Sequence, residues 1–418
     1  MTQRKQWGAV VGTLALVAAL VGCGAASSGA PAPHPTPGAS AASVAPRPTL
    51  TRWTAAGAIP AGDQIIAGYP GAHHLWFLVQ IPANANHPSG YIGYEASANP
   101  LGLTRVTPEV YTPAPYVGDY ANFGRTTAGR WWIAFGQQHS SSPESTLATA
   151  TWQPGAAHWT TLPVLTVPSP PNAQWGGPAL TVLTGDRGHG WLVSTYRDKS
   201  PVGITPILGQ TLVYHLGASG WTEIHAFPVS HNLGGYITWA TTGPAGTVFV
   251  CPASLGNPVL LSASGAVLST WSLPHNLMAS LSSNSGLGTR PTVQMSSNGT
   301  VYLVNSVNGQ LWAWTQQGGA QSLIQPGTSL AGTELRWMGT FRGHPVLKTV
   351  SANDSTYVAL VYHAGVWTSV PALLRPYSTS DGTSATRAAW SNGHPLWLWS
   401  AGQNTGRHLY VRKAPSRV

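Results

Sequence analysis

The chain has 418 residues, of which 43% are hydrophobic and only 7% are charged, and its formal net charge is +9. The 48 glycines, 35 prolines and 19 tryptophans favour an all-β protein with many turns over a helical one. The sequence contains no run of basic residues of the kind that would indicate a nucleic-acid-binding protein. The excess of positive charge is a mild bias towards anionic wall polymers or lipid surfaces.

The amino terminus has the pattern of an export signal. Two basic residues, Arg4 and Lys5, precede an apolar stretch from residue 8 to residue 22. This stretch is too short to span a bilayer comfortably, and its length fits the hydrophobic region of a secretory signal peptide. We therefore assign residues 1–22 to a signal peptide.

The end of this stretch, Leu20-Val21-Gly22-Cys23, resembles the lipobox of bacterial lipoproteins. That resemblance implies cleavage before Cys23 and acylation of its thiol, with palmitate among the expected acyl chains. Two or more acyl chains hold a protein stably on a membrane, so the expected location is the extracytoplasmic face of the cell membrane. Two alternatives remain open: cleavage near Ala25, which would release a secreted protein, and an uncleaved anchor.

The segment that follows, residues 23–50, is rich in Ala, Ser, Gly and Pro and has almost no charge. It has no hydrophobic periodicity, so it predicts an extended tether rather than a folded unit. Residues 51–418 then form the folded domain. Within it Cys251 lies in the apolar run 247–251, which predicts a buried and unreactive thiol.

The clearest unit of the domain spans residues 299–326. Tyr302–Val304 is a continuous apolar run, as expected for a strand that is buried on both faces. Asn308–Gly309 is a strong hairpin signal, and large and small residues alternate in Leu311–Trp314. A Gly-Gly pair then turns the chain into an outer strand at 321–325. This unit therefore predicts three consecutive antiparallel strands.

Related units recur along the chain. Seven segments share an apolar run that mostly follows a glycine, and they lie 44 to 59 residues apart. They are 74–78, 129–133, 188–192, 246–250, 299–304, 343–347 and 393–397. Repeats of about 40–50 residues with several strands each are typical of propeller blades. The predicted fold is all-β, with seven blades of four antiparallel strands.

A second marker concerns the outer strands. A Trp opens a short segment that ends in Pro, and an edge strand tolerates Pro because it needs no further ladder bond. The copies are 159–163, 221–228, 271–274, 367–371 and an additional one at 53–60. Because the last blade has no such copy of its own, we expect a strand at about 52–60 to complete it. In this respect the sequence resembles the bacterial seven-bladed β-propellers, which commonly close in this way.

The loops indicate which face of the domain is elaborated. In a four-stranded meander, the loops that join the second strand of a blade to the third emerge on the same face as the connections between blades. These are long in the first three blades, at 82–89, 137–144, 197–206, 107–118 and 164–178, and short in later blades, as at 305–308. Long loops usually carry function. The candidate ligand-binding residues there are the aromatic Tyr111, Tyr116 and Trp175 and the polar His87, His139, Glu144, Arg197, Asp198 and Lys199.

Evidence for catalysis is weaker. Four acids lie near the starts of innermost strands, where they could face the central channel: Asp63, Asp119, Glu334 and Asp381. Glycosidic cleavage usually needs two facing carboxylates, but three of these acids adjoin glycine in ordinary turn dipeptides. No pair of histidines has metal-ligand spacing with a nearby acid, so we expect no metal and no cofactor. We identify no catalytic residue.

The sequence favours a monomeric, lipid-anchored binding or assembly module over an enzyme. Its expected partners are the membrane, through the anchor, and a glycan, a cell-wall polymer or an envelope protein. One alternative is a hydrolase or lyase that acts on polysaccharide at the channel mouth. Another is an assembly factor for envelope proteins, which would expose an apolar patch.

Overall fold

A computed structural model describes residues 54–70, 74–98, 100–114, 116, 120–138, 144–168, 179–195, 208–230, 239–252, 257–272, 292–305, 310–323, 334–341, 344–350, 357–363, 366–369, 386–390, 396–400 and 408–412. The predicted signal peptide, Cys23 and the tether lie outside these residues. The chain divides after Pro46, and every described strand belongs to the unit Arg47–Val418. Within the described part, no helix is long and apolar enough to cross a membrane.

The described strands follow one another with two single-turn 3₁₀ helices between them. In chain order they are β1 (Thr54–Ala58), β2 (Gln64–Pro70), β3 (His74–Ile81), β4 (Gly90–Ala98), β5 (Leu101–Arg105), β6 (Val110–Tyr111), β7 (Tyr120–Arg125), β8 (Trp131–Gln138), β9 (Glu144–Trp152), β10 (Thr160–Thr161), β11 (Leu165–Pro168), β12 (Ala179–Thr184), a 3₁₀ turn (Asp186–Gly188), β13 (Gly190–Thr195), β14 (Leu208–Leu216), β15 (Trp221–Ser230), β16 (Trp239–Gly243), a second 3₁₀ turn (Pro244–Gly246), β17 (Thr247–Cys251), β18 (Val259–Leu261), β19 (Val267–Thr270), β20 (Thr292–Met295), β21 (Val301–Asn305), β22 (Gln310–Thr315), β23 (Gly319–Ser322), β24 (Glu334–Phe341), β25 (His344–Val350), β26 (Tyr357–His363), β27 (Val366–Ser369), β28 (Thr386–Trp390), β29 (Leu396–Ser400) and β30 (His408–Arg412).

These strands form seven antiparallel sheets. Sheet 1 is β2-β3-β4-β5 with β6 also on β4, and sheet 2 is β7-β8-β9-β10 with β11 also on β9. Sheets 3 to 6 take the following strands in groups of four, and sheet 7 is β28-β29-β30-β1. The protein is thus nearly all β, with several four-stranded antiparallel sheets.

Contacts between the sheets run from each one to the next. The first strands touch in the pairs β2–β7, β7–β12, β12–β16, β16–β20 and β24–β28, while β21 of sheet 5 touches β24 of sheet 6. The first strand of sheet 7, β28, also contacts β2 of sheet 1. Antiparallel four-stranded sheets packed side by side in this way have the arrangement of a β-propeller.

The apolar runs found in the sequence are the second strands of the sheets. All five residues of β17 are buried, and Trp131, Trp191 and Trp397 on other second strands are less than 2% exposed. A strand that is covered on both faces must be apolar throughout, which explains the runs. The three strands predicted between 299 and 326 are confirmed as β21, β22 and β23.

The glycine that precedes several of these runs has a conformational role. Gly129, Gly188 and Gly299 have φ values of 82°, 74° and 84°. In each case the glycine N–H donates to the carbonyl three residues earlier, at 2.9, 3.1 and 2.9 Å. A side chain is unfavourable at positive φ, so the recurring glycine marks the tight turn between the first and second strands.

The outer edges differ from the predictions. Val110–Tyr111 and Leu165–Pro168 were expected to be loop, but they pair with β4 and β9 and lengthen the outer edges of sheets 1 and 2. Trp271 was expected to open an outer strand, but it follows β19 and is buried. Of the strand predicted at 159–163, only Thr160–Thr161 pairs.

The first described strand pairs with the last. Thr54 lies opposite Val411 and Ala55 opposite Tyr410, with a register shift before Gly57 opposite Leu409. Ala56 and Ile59 are buried in one cluster with Leu409 and Val411 of sheet 7 and with Leu75 and other residues of sheet 1. The amino-terminal strand therefore forms the outer edge of sheet 7 and also packs against sheet 1.

Candidate functional site

The predicted binding face can be followed at one end of sheet 1. The segment 82–89 joins β3 to β4, and Tyr111 on β6 lies opposite Gly90 at the start of β4. Asp63 directly precedes β2, and the first residue of β2, Gln64, pairs with Gln80 near the end of β3. These residues share the end of the sheet at which the second-to-third loop emerges, here called the loop face. The opposite end, where the first and second strands meet, is called the turn face.

The 82–89 segment is ordered by Asn84. Its Oδ1 accepts from the backbone N–H groups of Asn86 at 2.8 Å and His87 at 3.2 Å. The His87 ring lies between two partners, with Nδ1 2.9 Å from the Pro88 carbonyl and Nε2 2.6 Å from the Asn84 amide nitrogen. Because a carbonyl only accepts, Nδ1 carries the hydrogen and Nε2 accepts from the Asn84 amide. The imidazole is therefore held in one orientation.

Tyr111 is the exposed aromatic residue of this end. Its ring is 43% exposed, and its centroid lies 5.2 Å from that of His87 at an interplanar angle of 52°. A hydrogen bond with Glu109 is the main reason that the pKa of Tyr111 is raised above its ordinary value. The ring is thus fixed on one side by His87 and at its hydroxyl by Glu109, while the rest is open to solvent.

Two acids accompany this ring. Burial, and to a lesser extent the nearby Glu109 carboxylate, raise the pKa of Asp63. The missing side chain of Gly90 leaves room for Glu109, whose Oε1 would collide with a Cβ there. The charge of Asp63 also reaches Tyr94, whose pKa is raised mainly by burial and partly by Asp63. Asp63 and Glu109 therefore act on each other, a pair that the sequence did not suggest because 46 residues separate them.

The other predicted site residues have different outcomes. Tyr116 is only 5% exposed and packs in a cluster with Trp131 and Phe135, so it is not available as an exposed aromatic platform. Glu144 is exposed at the start of β9, and Glu334 begins β24, although its side chain lies outside the description. The remaining candidates fall outside the described residues: His139, Trp175, Arg197, Asp198, Lys199, Asp119, Asp381 and Cys23.

Loop length proves a weaker guide than expected. Five residues separate β8 from β9 in sheet 2, whereas seven separate β17 from β18 in sheet 4. The predicted contrast between the first three sheets and the later ones therefore does not hold for sheet 2. The two predicted long connections between blades also contain strands of the sheets: β6 lies within 107–118 and β11 lies within 164–178.

The turn face carries contacts that the sequence did not suggest. The Tyr69 hydroxyl, at the end of β2, donates to the Gly185 carbonyl at 2.9 Å and accepts from the Gly188 N–H at 3.3 Å. Burial raises the pKa of Tyr69 to about 12, so the hydroxyl stays protonated. These bonds tie sheet 1 to the first turn of sheet 3. No local pattern identifies partners that lie 116 residues apart.

A pair of histidines lies beside that turn. His189 Nδ1 is 3.0 Å from His215 Nε2, and the His215 ring centroid is 4.7 Å from that of Trp191. Burial, and then the neighbouring His189, lower the pKa of His215 to about 4. Burial also lowers the pKa of His189. The sequence did not indicate this pair, because the two histidines lie 26 positions apart, on different strands of the sheet.

Cys251 has the environment that the sequence predicted. Its side chain is 1% exposed, within a cluster that includes Phe249 and Trp314. Burial raises the pKa of this thiol far above its ordinary value. The thiol is therefore protonated and shielded, as expected for an unreactive cysteine. Within the described ranges, no three His, Cys, Asp or Glu side chains are grouped so as to hold a metal ion.

No known family model and no curated protein matches the sequence. Several solved structures resemble the fold. An inactive variant of virginiamycin B lyase from Staphylococcus aureus, with quinupristin, has 8% identity and a TM-score of 0.47 over 87% of this chain and 99% of that one. The β-propeller domain of the Trilobed protease from Pyrococcus furiosus has 7% identity and a TM-score of 0.45 over 85% and 94%.

A third structure is an alpha-L-arabinanase from Penicillium chrysogenum with arabinobiose, at 11% identity and a TM-score of 0.37 over 89% and 100% of the two chains. These similarities are too low to support any inference about activity or ligand. The description of the fold rests instead on the strand pairing and on the contacts between sheets.

Proposed function

We propose that this protein is a lipid-anchored, seven-bladed β-propeller that binds a glycan or cell-wall polymer at the cell surface through its loop face. The blade count is supported by the seven sheets of the described strands. Ring closure is supported by the pairing of β1 with β30 and by the contact of β28 with β2. Pairing the amino-terminal strand with the last described strand joins the two ends of the domain in one sheet.

The anchor rests on the lipobox at Cys23. Residues 24–50 would then separate the propeller from the membrane by up to roughly 80 Å when fully extended. This distance allows the domain to reach polymers of the cell wall, which are commonly anionic, while the domain itself has a basic composition.

The binding role rests mainly on Tyr111. An aromatic ring that is exposed on one side and immobilised by neighbours is suited to stacking on the apolar face of a sugar. Its support by His87 and Glu109 limits the side-chain entropy that binding would otherwise remove. The Asp63 and Glu109 carboxyl groups and the ordered 82–89 segment lie at the same end of the sheet, where they can accept hydrogen bonds from sugar hydroxyls.

The test is a binding screen of the full chain, in mild detergent, against isolated cell-wall material and an array of glycans. Replacing Tyr111 by Ala should weaken binding at least about tenfold, equivalent to about 1.4 kcal/mol. The matched control is Leu101→Ala, which removes a similarly exposed apolar side chain from the turn-face end of the same sheet. Equal binding by the two variants would exclude this surface.

A partner of a different class would appear in the same experiment. If an envelope protein but no glycan is retained on wild-type chain, and if Tyr111→Ala releases it, the module serves in protein assembly. Tyr116→Ala is not a suitable probe of binding, because this residue is buried and its loss would destabilise the fold.

The second candidate function is polysaccharide hydrolysis or elimination on the loop face. It is favoured by the Asp63–Glu109 pair, since a carboxyl group with a raised pKa beside a second carboxylate suits general acid and base roles. Product analysis after incubation with each retained glycan decides between the two. Shortened or unsaturated products that disappear with both Asp63→Asn and Glu109→Gln would establish the enzyme, and intact glycan would support the binding module.

A further inference from the structure

A second group of side chains lies on the turn face, between sheets 1 and 2. Tyr69, Trp76 and Glu95 are opposite one another on β2, β3 and β4, so their side chains share one face of sheet 1. Arg125 ends β7, the first strand of sheet 2. Its guanidinium carbon lies 4.5 Å from the centre of the Trp76 ring, so the cation sits over the indole.

The Trp76 ring is held in place by its neighbours. The Tyr69 and His74 rings lie 6.1 and 6.2 Å from it, centroid to centroid, at interplanar angles of 24° and 13°. Tyr69 is itself fixed by its hydrogen bonds to the first turn of sheet 3. The guanidinium therefore lies against an aromatic ring that its neighbours already hold in position.

Glu95, which lies opposite Trp76 on β4, has a partner of its own. Glu95 Oε1 lies 2.8 Å from His74 Nδ1. No hydrogen bond or ion pair joins the Arg125 side chain to any described residue, and its Nε is buried without an acceptor. The indole N–H of Trp76 is also buried without an acceptor. Among the described residues, two hydrogen-bond donors, one of them cationic, thus lie in this contact without an acceptor.

Such an arrangement is unusual for a half-buried cation. A cation–π contact offsets only part of the cost of a buried hydrogen-bond donor that has no acceptor. Other arginines in these two sheets follow the usual rule. Arg105 Nε donates to the Thr107 carbonyl at 3.3 Å, and Arg130 Nη2 donates to the Gly217 carbonyl at 3.2 Å. Arg125 has no such acceptor.

We propose that Arg125 and the Trp76 surface form a binding site for an oxyanion, either a carboxylate or a phosphate, on the turn face. The ligand oxygens take two parallel hydrogen bonds from the guanidinium, the geometry that arginine prefers with both groups. The indole covers one face of the guanidinium and fixes its plane, and the ligand oxygens lie in that plane, at the N–H edge. The site is distinct from the loop face and does not depend on the function proposed for it.

Titration calorimetry of the full chain in detergent tests this site, with sodium phosphate, sodium acetate and sodium glucuronate as separate probes at constant low ionic strength. We expect one binding site per chain, occupied either by phosphate or by acetate and glucuronate. Comparing the affinities of the three probes identifies the preferred anion. Arg125→Lys should weaken binding about tenfold because it keeps the charge and loses the paired geometry. Arg125→Gln should remove binding altogether.

The matched control is Arg130→Gln, which removes the same charge from the same hairpin but does not touch Trp76. It should leave anion affinity within about twofold, as should Tyr111→Ala on the loop face. The melting temperature of each variant, with and without anion, shows whether it is folded: the anion should stabilise wild type and not Arg125→Gln. Absence of binding by wild type, or equal losses in the Arg125 and Arg130 variants, would overturn the proposal.

Discussion

Replacing Gly188 by Ala tests how tightly sheets 2 and 3 meet at the turn face. Gly188 has φ +74°, and a Cβ there would collide with the carbonyl group of Arg125 and lie 2.6 Å from the Thr126 nitrogen. These are backbone atoms of the neighbouring sheet, so no side-chain rotation can relieve the collision. The Gly188 carbonyl also accepts from the buried Trp132 indole N–H at 2.8 Å.

The magnitude follows from these contacts. The left-handed conformation costs a non-glycine residue roughly 1–2 kcal/mol. Displacing the turn from the Trp132 indole would leave a buried donor unpaired, at about 1–3 kcal/mol. We therefore expect Gly188→Ala to lower the free energy of unfolding by about 2–5 kcal/mol, a large share of a typical total of about 5–15 kcal/mol.

Gly299→Ala is the matched control. Gly299 occupies the same turn position in sheet 5, with φ +84°, but nothing lies within 4 Å of its Cβ position. Its free energy of unfolding should fall only by the cost of the left-handed conformation, about 1–2 kcal/mol. Urea unfolding followed by tryptophan fluorescence measures both variants. Equal losses would refute the view that Gly188 is needed for close packing against Arg125.

Three further outcomes are expected. Tyr69→Phe keeps the ring but removes both hydrogen bonds of the hydroxyl, and it should lower the free energy of unfolding by about 1–3 kcal/mol in the same urea assay; an unchanged value would contradict the tie between sheets 1 and 3. The pKa of His215 is lowered to about 4 in the folded protein, so the unfolded chain binds more protons between about pH 6.5 and 4. Stability should therefore decrease as the pH is lowered across this range. As the pH is lowered, the melting temperature should fall less for His215→Gln than for wild type, and an identical fall would rule out a contribution from His215. The Cys251 thiol should resist iodoacetamide until the chain is unfolded; mass spectrometry of the unfolded native protein should then find one labelled thiol, and two would disprove the proposed acylation of Cys23.

The features that the sequence predicted are those with a local cause. A second strand covered on both faces must be apolar, and a turn at positive φ selects glycine, so both recur and can be counted. The outer edges were harder to predict, because they pair on one side only and tolerate polar residues and proline. Leu165–Pro168 contains proline and follows an irregular segment, which suggested a connection, yet it pairs with β9.

The candidate sites depend on contacts between distant parts of the chain. Tyr111 was identified because an aromatic residue in a long connection is an evident candidate, although it lies on a short strand. Tyr116, five residues later, has the same side chain but is buried against Trp131. Sequence alone does not separate these two cases, since the difference arises from the packing of sheet 1 against sheet 2. The Arg125–Trp76 contact likewise requires two sheets to meet.

The pairing of β1 with β30 has a consequence for biogenesis. Thr54 and Val411 are neighbours in the folded protein but lie more than 350 positions apart in the chain. During synthesis β1 has no partner strand until β30 has also been made. Interrupted synthesis should therefore yield products in which β1 is unpaired, and such exposed strand edges favour aggregation and recognition by chaperones.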